Sequence, residues 1–303
     1  MSRARQLAAF LCAWLALPII AQHAPPASAP TVADRVRSPR VDAAETDSPR
    51  LRILSGAPNV TEICCALGLA DQLVGRTRYC AYPPEVQALP SIGALFDANT
   101  EFVLSLKPDL IVLSGGSRAM RERLEPLGLR LESVPDARLE DLFVAIERIG
   151  DWTGRPRTAA ALCAELRAEL APQSVRARAR VLLLTGTMPT PPGPIGVAGP
   201  GSFYHELLER AGFAAALGPD APPFGVLSLE GLLRAQPEVV IELDATGTRA
   251  RAPADEAWRS FAALPAVQRG RVHTLSGEAH FLLGPRIGAT YRELCALARQ
   301  RQP

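Results

Sequence analysis

Glu101-Phe-Val-Leu-Ser-Leu-Lys-Pro108-Asp-Leu-Ile-Val112 decides the fold, because the segment recurs as Glu230-Gly-Leu-Leu-Arg-Ala-Gln-Pro237-Glu-Val-Val-Ile241. In both, a Glu opens a short apolar-periodic stretch. A Pro follows seven residues on, then an acid, then a β-branched run. Proline disfavours helix at the residue before it, so each segment predicts a helix of about two turns feeding a strand. Asn99 and Ser228, two residues ahead of the glutamates, are natural N-caps.

A second duplicated landmark precedes each copy. Glu62-Ile-Cys-Cys-Ala-Leu-Gly68 matches Glu206-Leu-Leu-Glu-Arg-Ala-Gly212, and β-rich runs lie upstream at Leu51–Ser55 and Arg180–Thr185. The order strand, Glu-to-Gly helix, Glu-to-Pro helix, strand therefore occurs in residues 50–140 and again in 179–285. A repeat this long predicts two lobes with a cleft between them, not a solenoid.

At 303 residues the chain is long enough for two modest cores. A formal net charge of +2 excludes a strong electrostatic case for nucleic acid or an anionic membrane. Residues 1–29 read as a secretory signal, with Arg3 and Arg5 ahead of the apolar run Leu7–Ala21 and a small-residue cleavage site at Ala27-Ser28-Ala29. Pro30 to Pro49, rich in Ala, Pro and charge, predicts a disordered lead-in. Export to the periplasm permits disulfides. Cys65 to Cys80 would close a loop of about 15 residues, worth about 3 kcal/mol. Cys64 is the other candidate partner for Cys80, and buried free thiols are the alternative.

Along the chain, Asn59 is placed to cap the first helix with Glu62 completing a capping box, and Gly68 to end it. Residues 50–150 form the expected first lobe. Leu139–Ile149 and Arg157–Leu170 carry helical periodicity, and the second of these, within residues 151–174, reads as a stiff helix joining the lobes. In the second lobe, residues 175–303, Met188–Gly201 reads as a Pro/Gly-rich loop leading to Ser202, a cap for Phe203–Ala211. Alternating strands and helices predict α/β lobes with parallel sheets covered on both faces.

Chemistry-bearing motifs are missing. No Gly-Lys-Ser/Thr phosphate loop, Gly-x-Ser-x-Gly elbow or Cys-x-x-Cys pair occurs, and His23, His205, His273 and His280 lack zinc-site spacing. A binding protein is the reading that remains, with a secreted α/β enzyme as the competing class.

Pro58-Asn59-x-Thr61-Glu62, the loop Arg78-Tyr79-Cys80-Ala81-Tyr82-Pro83-Pro84 and Glu101–Val112 resemble the periplasmic vitamin B12-binding protein family, the substrate-binding proteins of ABC importers for corrinoids, haem and ferric siderophores. The resemblance implies two Rossmann-like lobes joined by one long rigid helix, a monomer, and no enzymatic role or covalent cofactor. It assigns Glu101 and Glu230 to docking on arginines of a dimeric permease. A Glu in a helix's first turn also complements the helix dipole, by about 0.3–1 kcal/mol. It further implies a ligand, a cobalamin-type corrinoid, between the lobes, with Tyr79, Leu95, Phe96, Ser114, Phe224 and Glu278 at pocket positions. The family carries Trp at two of these, whereas here Leu95 or Phe96 and Ser114 stand there, and Trp152 and Trp258 lie on helical segments. His280 and Tyr79 support haem as the alternative ligand, because either side chain can ligate iron. Arg76, Arg78, Arg118, Arg138 and Arg286 are available to an anionic ferric siderophore. Ala211 occupies the position of the family cysteine that would pair with Cys295, which implies a buried thiol there.

Overall fold

The computed structural model describes residues 31–300 apart from 48–49, 95–98, 116, 175–178, 190–191, 246 and 248–254. The signal region and the pocket positions Leu95 and Phe96 lie outside the described residues.

The first half comprises β1 (Ile53–Ser55), α1 (Pro58–Ala66), β2 (Leu73–Arg76), α2 (Thr100–Ser105), β3 (Leu110–Ser114), α3 (Arg118–Leu124) and β4 (Leu131–Val134). Its sheet has the order β2-β1-β3-β4 and is parallel throughout. Two antiparallel helices follow, α4 (Leu139–Trp152) and α5 (Pro156–Glu169). The second half comprises β5 (Arg180–Leu184), β6 (Ile195–Ala198), α6 (Phe203–Ala211), β7 (Ala214–Ala215), β8 (Phe224–Leu227), α7 (Leu229–Ala235), β9 (Val239–Asp244), α8 (Asp255–Trp258), α9 (Pro265–Gln268), β10 (Val272–Ser276) and α10 (Ile287–Arg299). The α/β architecture expected from the alternation of strands and helices, and implied by the resemblance to be Rossmann-like, is present in both halves.

The repeat is exact at the level of helix ends. Asn99 Oδ1 accepts from Phe102 N at 2.9 Å, and Ser228 Oγ accepts from Gly231 N at 3.1 Å. Each cap satisfies one orphan donor of its helix. Lys107 and Gln236, the residues before the two prolines, have φ of 45° and 43°, the positive-φ non-glycine positions among the described residues.

Strand periodicity partitions the core. Ile53, Leu110, Val112 and Val134 of the first sheet and Val181, Leu183, Val239 and Ile241 of the second join one apolar cluster with α1, α4, α5, α6 and α10. The alternate residues face outward. Leu54, Ile111 and Leu113 pack with Val103, Met120 and Leu124, while Leu182, Leu184 and Val240 pack with Leu232 and Trp258. Successive strand residues point to opposite faces, so each sheet is covered twice.

Three expectations are corrected. The second sheet, order β10-β9-β5-β6-β8 with β7 on β5, is mixed, because the segment read as a loop supplies β6, antiparallel to both β5 and β8. Helix α5, over the span read as the joining helix, packs against α4 so closely that a Cβ on Gly150 would lie 2.5 Å from the Ala159 methyl. The lead-in, expected to lack structure, is packed over residues 31–47: Val32 and Val36 enter the central core, Arg35 pairs with Glu165 at 3.0 Å, and Glu45 accepts from Arg157 N, Thr158 N and Thr158 Oγ1 at 2.6, 3.1 and 2.7 Å. Glu45 thereby caps α5. Finally, Cys65 and Cys80 are free buried thiols, not a disulfide. Cys64 and Cys65 sit in the apolar core, where burial raises both thiol pKa values, Cys65 to about 12, and Cys80 Sγ shares a hydrogen bond with Thr77 Oγ1 at 3.1 Å. Cys295 is likewise a free buried thiol, as the resemblance implied.

Candidate functional site

The carboxyl ends of the first sheet open into a cavity of about 230 Å³. Gly56, Ala57, Pro58 and Asn59 line it after β1, Thr77 and Tyr79 after β2, Ser114 and Ser117 at and beyond the end of β3, and Asp136 after β4. Leu282 and Leu283, between β10 and α10, close it from the other half. Loops at the carboxyl ends of parallel strands are where α/β folds bind ligands.

Two of the predicted pocket residues meet here. Tyr79 presents its ring at the cavity with 58% of the residue exposed. Ser114 is buried and donates from Oγ to Asp136 Oδ2 at 2.6 Å. Glu278 stands at the edge of the second half, accepting from Arg286 at 3.1 Å. Phe224 does not line the cavity; it opens β8 and joins Phe203 and Tyr204, with ring centroids 6.0 and 6.3 Å away. His280 is also displaced from the cavity. Its Nδ1 lies 3.0 Å from Thr290 Oγ1 and its Nε2 3.5 Å from Glu293, both on α10. Burial lowers its pKa, with Glu293 opposing. His280 is buried, and its ring contacts lie within the second half and not at the cavity.

Asp136 and Ser117 escaped the sequence reading. The available signal was an acid two residues past the end of a parallel strand. Gly115 makes room for it, since a Cβ there would lie 2.8 Å from Asp136 Oδ1.

Beneath the cavity the two halves are clasped. Glu62, expected to complete a capping box with Asn59 as the cap of α1, does not, because Pro58 takes the first helical position and Ala57 is the N-cap. Instead the Glu62 carboxylate accepts from Arg286 Nε and Nη2 at 3.0 and 2.5 Å, with Glu62 1% exposed. Arg286 is the N-cap residue of α10 and also lies 3.9 Å over the Tyr82 ring. Burial pushes the Glu62 carboxyl above the usual carboxylate range, and its pair with Arg286 pulls the other way. The duplicated Glu206 does the reciprocal thing: it accepts from Leu139 N at 3.2 Å and stands 4.0 Å from Arg138, the N-cap residue of α4. Each half thus sends the same glutamate to the helix start that follows the other half's last strand. One clasp is buried and tight, the other open and solvated.

Glu101 and Glu230 are both exposed in the first turns of α2 and α7. Three residues on, at matching repeat positions, Leu104 and Leu233 are each 44% exposed.

The sequence pattern of a family described as "Periplasmic binding protein" matches residues 53–279. The chain is 26% identical over 250 residues to a vitamin B12-binding protein of Salmonella paratyphi A, spanning 80% of this chain and 88% of that one. Among solved structures, the periplasmic vitamin B12-binding protein of Vibrio cholerae superposes with a TM-score of 0.67 at 25% identity, covering 84% of this chain and 99% of that one. A periplasmic haem-binding protein from Pseudomonas aeruginosa superposes with a TM-score of 0.69 at 27% identity, covering 84% and 94%. The match spans most of both lobes, and the chain belongs to the periplasmic binding protein family.

Proposed function

We propose that the chain is the solute-binding component of an ABC importer, which holds a cobalamin-type corrinoid between its lobes and delivers it to a permease dimer. The observation that carries this reading is the cavity itself, which is bounded by both halves and lined without a single cation among the described residues. An uncharged ligand edge suits such walls better than the carboxylates of haem or an anionic siderophore. The resemblance to vitamin B12-binding proteins over most of the chain supports the same ligand. Glu101 and Glu230 act as the docking acids, flanked by Leu104 and Leu233, which supply apolar contact beside each charge. Two like patches on one chain call for a partner that also carries two like surfaces, as a dimer does.

Haem is the second reading, favoured by the exposed Tyr79 phenol at the cavity and by the similarity to a haem-binding protein. Mature protein titrated separately with cyanocobalamin, haemin and a ferric hydroxamate, and followed by absorbance and melting temperature, decides between them. Stabilisation by cyanocobalamin alone is expected, since binding to the native state raises apparent stability. Stabilisation by haemin alone overturns the corrinoid reading.

A further inference from the structure

The cavity wall contributed by the first half carries an acceptor and a hydroxyl that the fold leaves unspent. Asp136 spends one oxygen on Ser114 Oγ, at 2.6 Å from Oδ2. Its other oxygen, Oδ1, takes part in no hydrogen bond among the described residues and faces Gly115, where a Cβ would lie 2.8 Å away. No cation among the described residues pairs with this carboxylate. Ser117 lines the same cavity, is only 3% exposed, and its Oγ has no hydrogen-bond partner in the protein. A buried hydroxyl left unmatched costs roughly 1–3 kcal/mol, so an orphan of this kind on a cavity wall marks a place where a ligand group completes the bonding.

The geometry points to a subsite formed by Asp136 and Ser117 that recognises a neutral primary amide on the ligand's rim and rejects a carboxylate at the same place. The inference rests on the cleft being the ligand site, but not on which macrocycle occupies it. An amide carries both complements in one planar group. Its N–H bonds donate to the open oxygen of Asp136, and its carbonyl oxygen accepts from the Ser117 hydroxyl. Replacing the amide by a carboxylate turns the first contact into a repulsion between like charges in a partly desolvated cleft. Ser114 acts as a positioning residue, holding the Asp136 carboxylate by its Oδ2.

The test compares ligands that differ only at that group. Cyanocobalamin and its separate b-, d- and e-monocarboxylic acids form one series, and haem diamide with haemin forms another. Binding of each is measured by equilibrium dialysis to the wild-type protein and to the Asp136→Asn and Ser117→Ala variants. In whichever series binds, the wild type is expected to prefer an amide over its acid by about tenfold or more for at least one position. Asp136→Asn is expected to bring that ratio below about threefold, chiefly by improving affinity for the acid. Ser117→Ala is expected to weaken the amide ligand several-fold while leaving the amide-to-acid preference in place. Melting temperatures of both variants within about 2 °C of the wild type would exclude a folding defect as the source. An unchanged ratio in Asp136→Asn, or a wild type indifferent to amide and acid in every isomer, overturns the subsite. Binding confined to the haem series, with the amide preference intact, would overturn the corrinoid reading and uphold the subsite.

Discussion

Replacing Arg286 with methionine removes one partner of the buried clasp and keeps most of its volume. Glu62 is then left 1% exposed with no counter-charge, since Arg286 is its ion-pair partner and its Oε2 already lacks a hydrogen bond. Breaking a buried pair from one side costs about 3–5 kcal/mol. At about 2 °C per kcal/mol for a chain of this size, melting should fall by about 6–10 °C. Burial already raises the Glu62 pKa against the pull of Arg286, and loss of the arginine raises it further. The folded state then keeps a proton that the unfolded state releases, so stability is greatest below the unfolded pKa and is lost as pH rises through the folded one. The deficit of Arg286→Met should therefore be larger near pH 8 than near pH 5. Adding Glu62→Gln removes the stranded charge, and the double variant should recover more than half of the loss. Glu206→Gln gives the contrast. Its arginine stands 4.0 Å away with a 71% exposed side chain, so loss of that ion pair should cost under about 1 kcal/mol. Calorimetry of the four proteins at both pH values is the assay. Equal deficits at the two pH values, or a double variant no better than Arg286→Met, would refute the reasoning.

Three further outcomes are expected. Glu101→Arg with Glu230→Arg should abolish uptake in cells while ligand affinity of the purified protein stays within about twofold, because the acids lie on exposed first turns outside the cavity lining; normal uptake would remove their docking role. Lys107→Gly should raise stability by up to about 1 kcal/mol in denaturant titrations, since the residue sits at φ 45°, which a Cβ disfavours. Glu45→Gln should cost about 0.5–2 kcal/mol at neutral pH, by weakening the cap on α5. Burial opposes ionisation of Glu45, but its bonds from Thr158 and Arg157 outweigh it and lower the pKa, so its contribution is present above the unfolded pKa and is lost as pH falls through the folded one; a Glu45→Gln penalty that persists undiminished in acid would contradict that role.

The duplicated Glu-to-Pro segment was legible because its information is local. A cap, a two-turn apolar stripe and a proline are encoded within about a dozen residues, and they appear as α2 and α7 with matching caps. What escaped depends on distant partners. Glu62 and Asn59 form a plausible capping box on paper, yet Pro58 occupies the first helical position and Glu62 turns to an arginine 224 residues away. The lead-in looked disordered because its composition is, and only Val32, Val36 and Glu45, spaced singly, anchor it. Strand β6 hid inside a Pro/Gly-rich segment because four residues flanked by loop formers carry too little alternation to read as a strand. At the cleft, Tyr79 and Ser114 were found through the resemblance, whereas Asp136 and Ser117 needed the loops in three dimensions.

The shared core bears on how the cleft works. Two lobes with separate cores could swing apart freely, since only surface would change hands. Here one apolar cluster runs from Ile53 and Val112 through α4 and α5 to Ile241 and Leu294, so wide separation would expose much of it at about 25 cal/mol per Å² of apolar surface. The Glu62–Arg286 clasp adds a charge penalty to the same movement. Ala57 and Leu283 of the lining belong to that cluster, but the loops after β2, β3 and β4 bring lining residues that stand outside it: Tyr79 is exposed, and Ser114, Ser117 and Asp136 belong to none of the three apolar clusters. Adaptation to a ligand is therefore cheapest in those loops and most costly between the halves. Under the docking role proposed for Glu101 and Glu230, such a cleft keeps the two acids at a nearly fixed separation whether loaded or empty, and the loaded state would be signalled to the partner through the loops at the cleft's mouth.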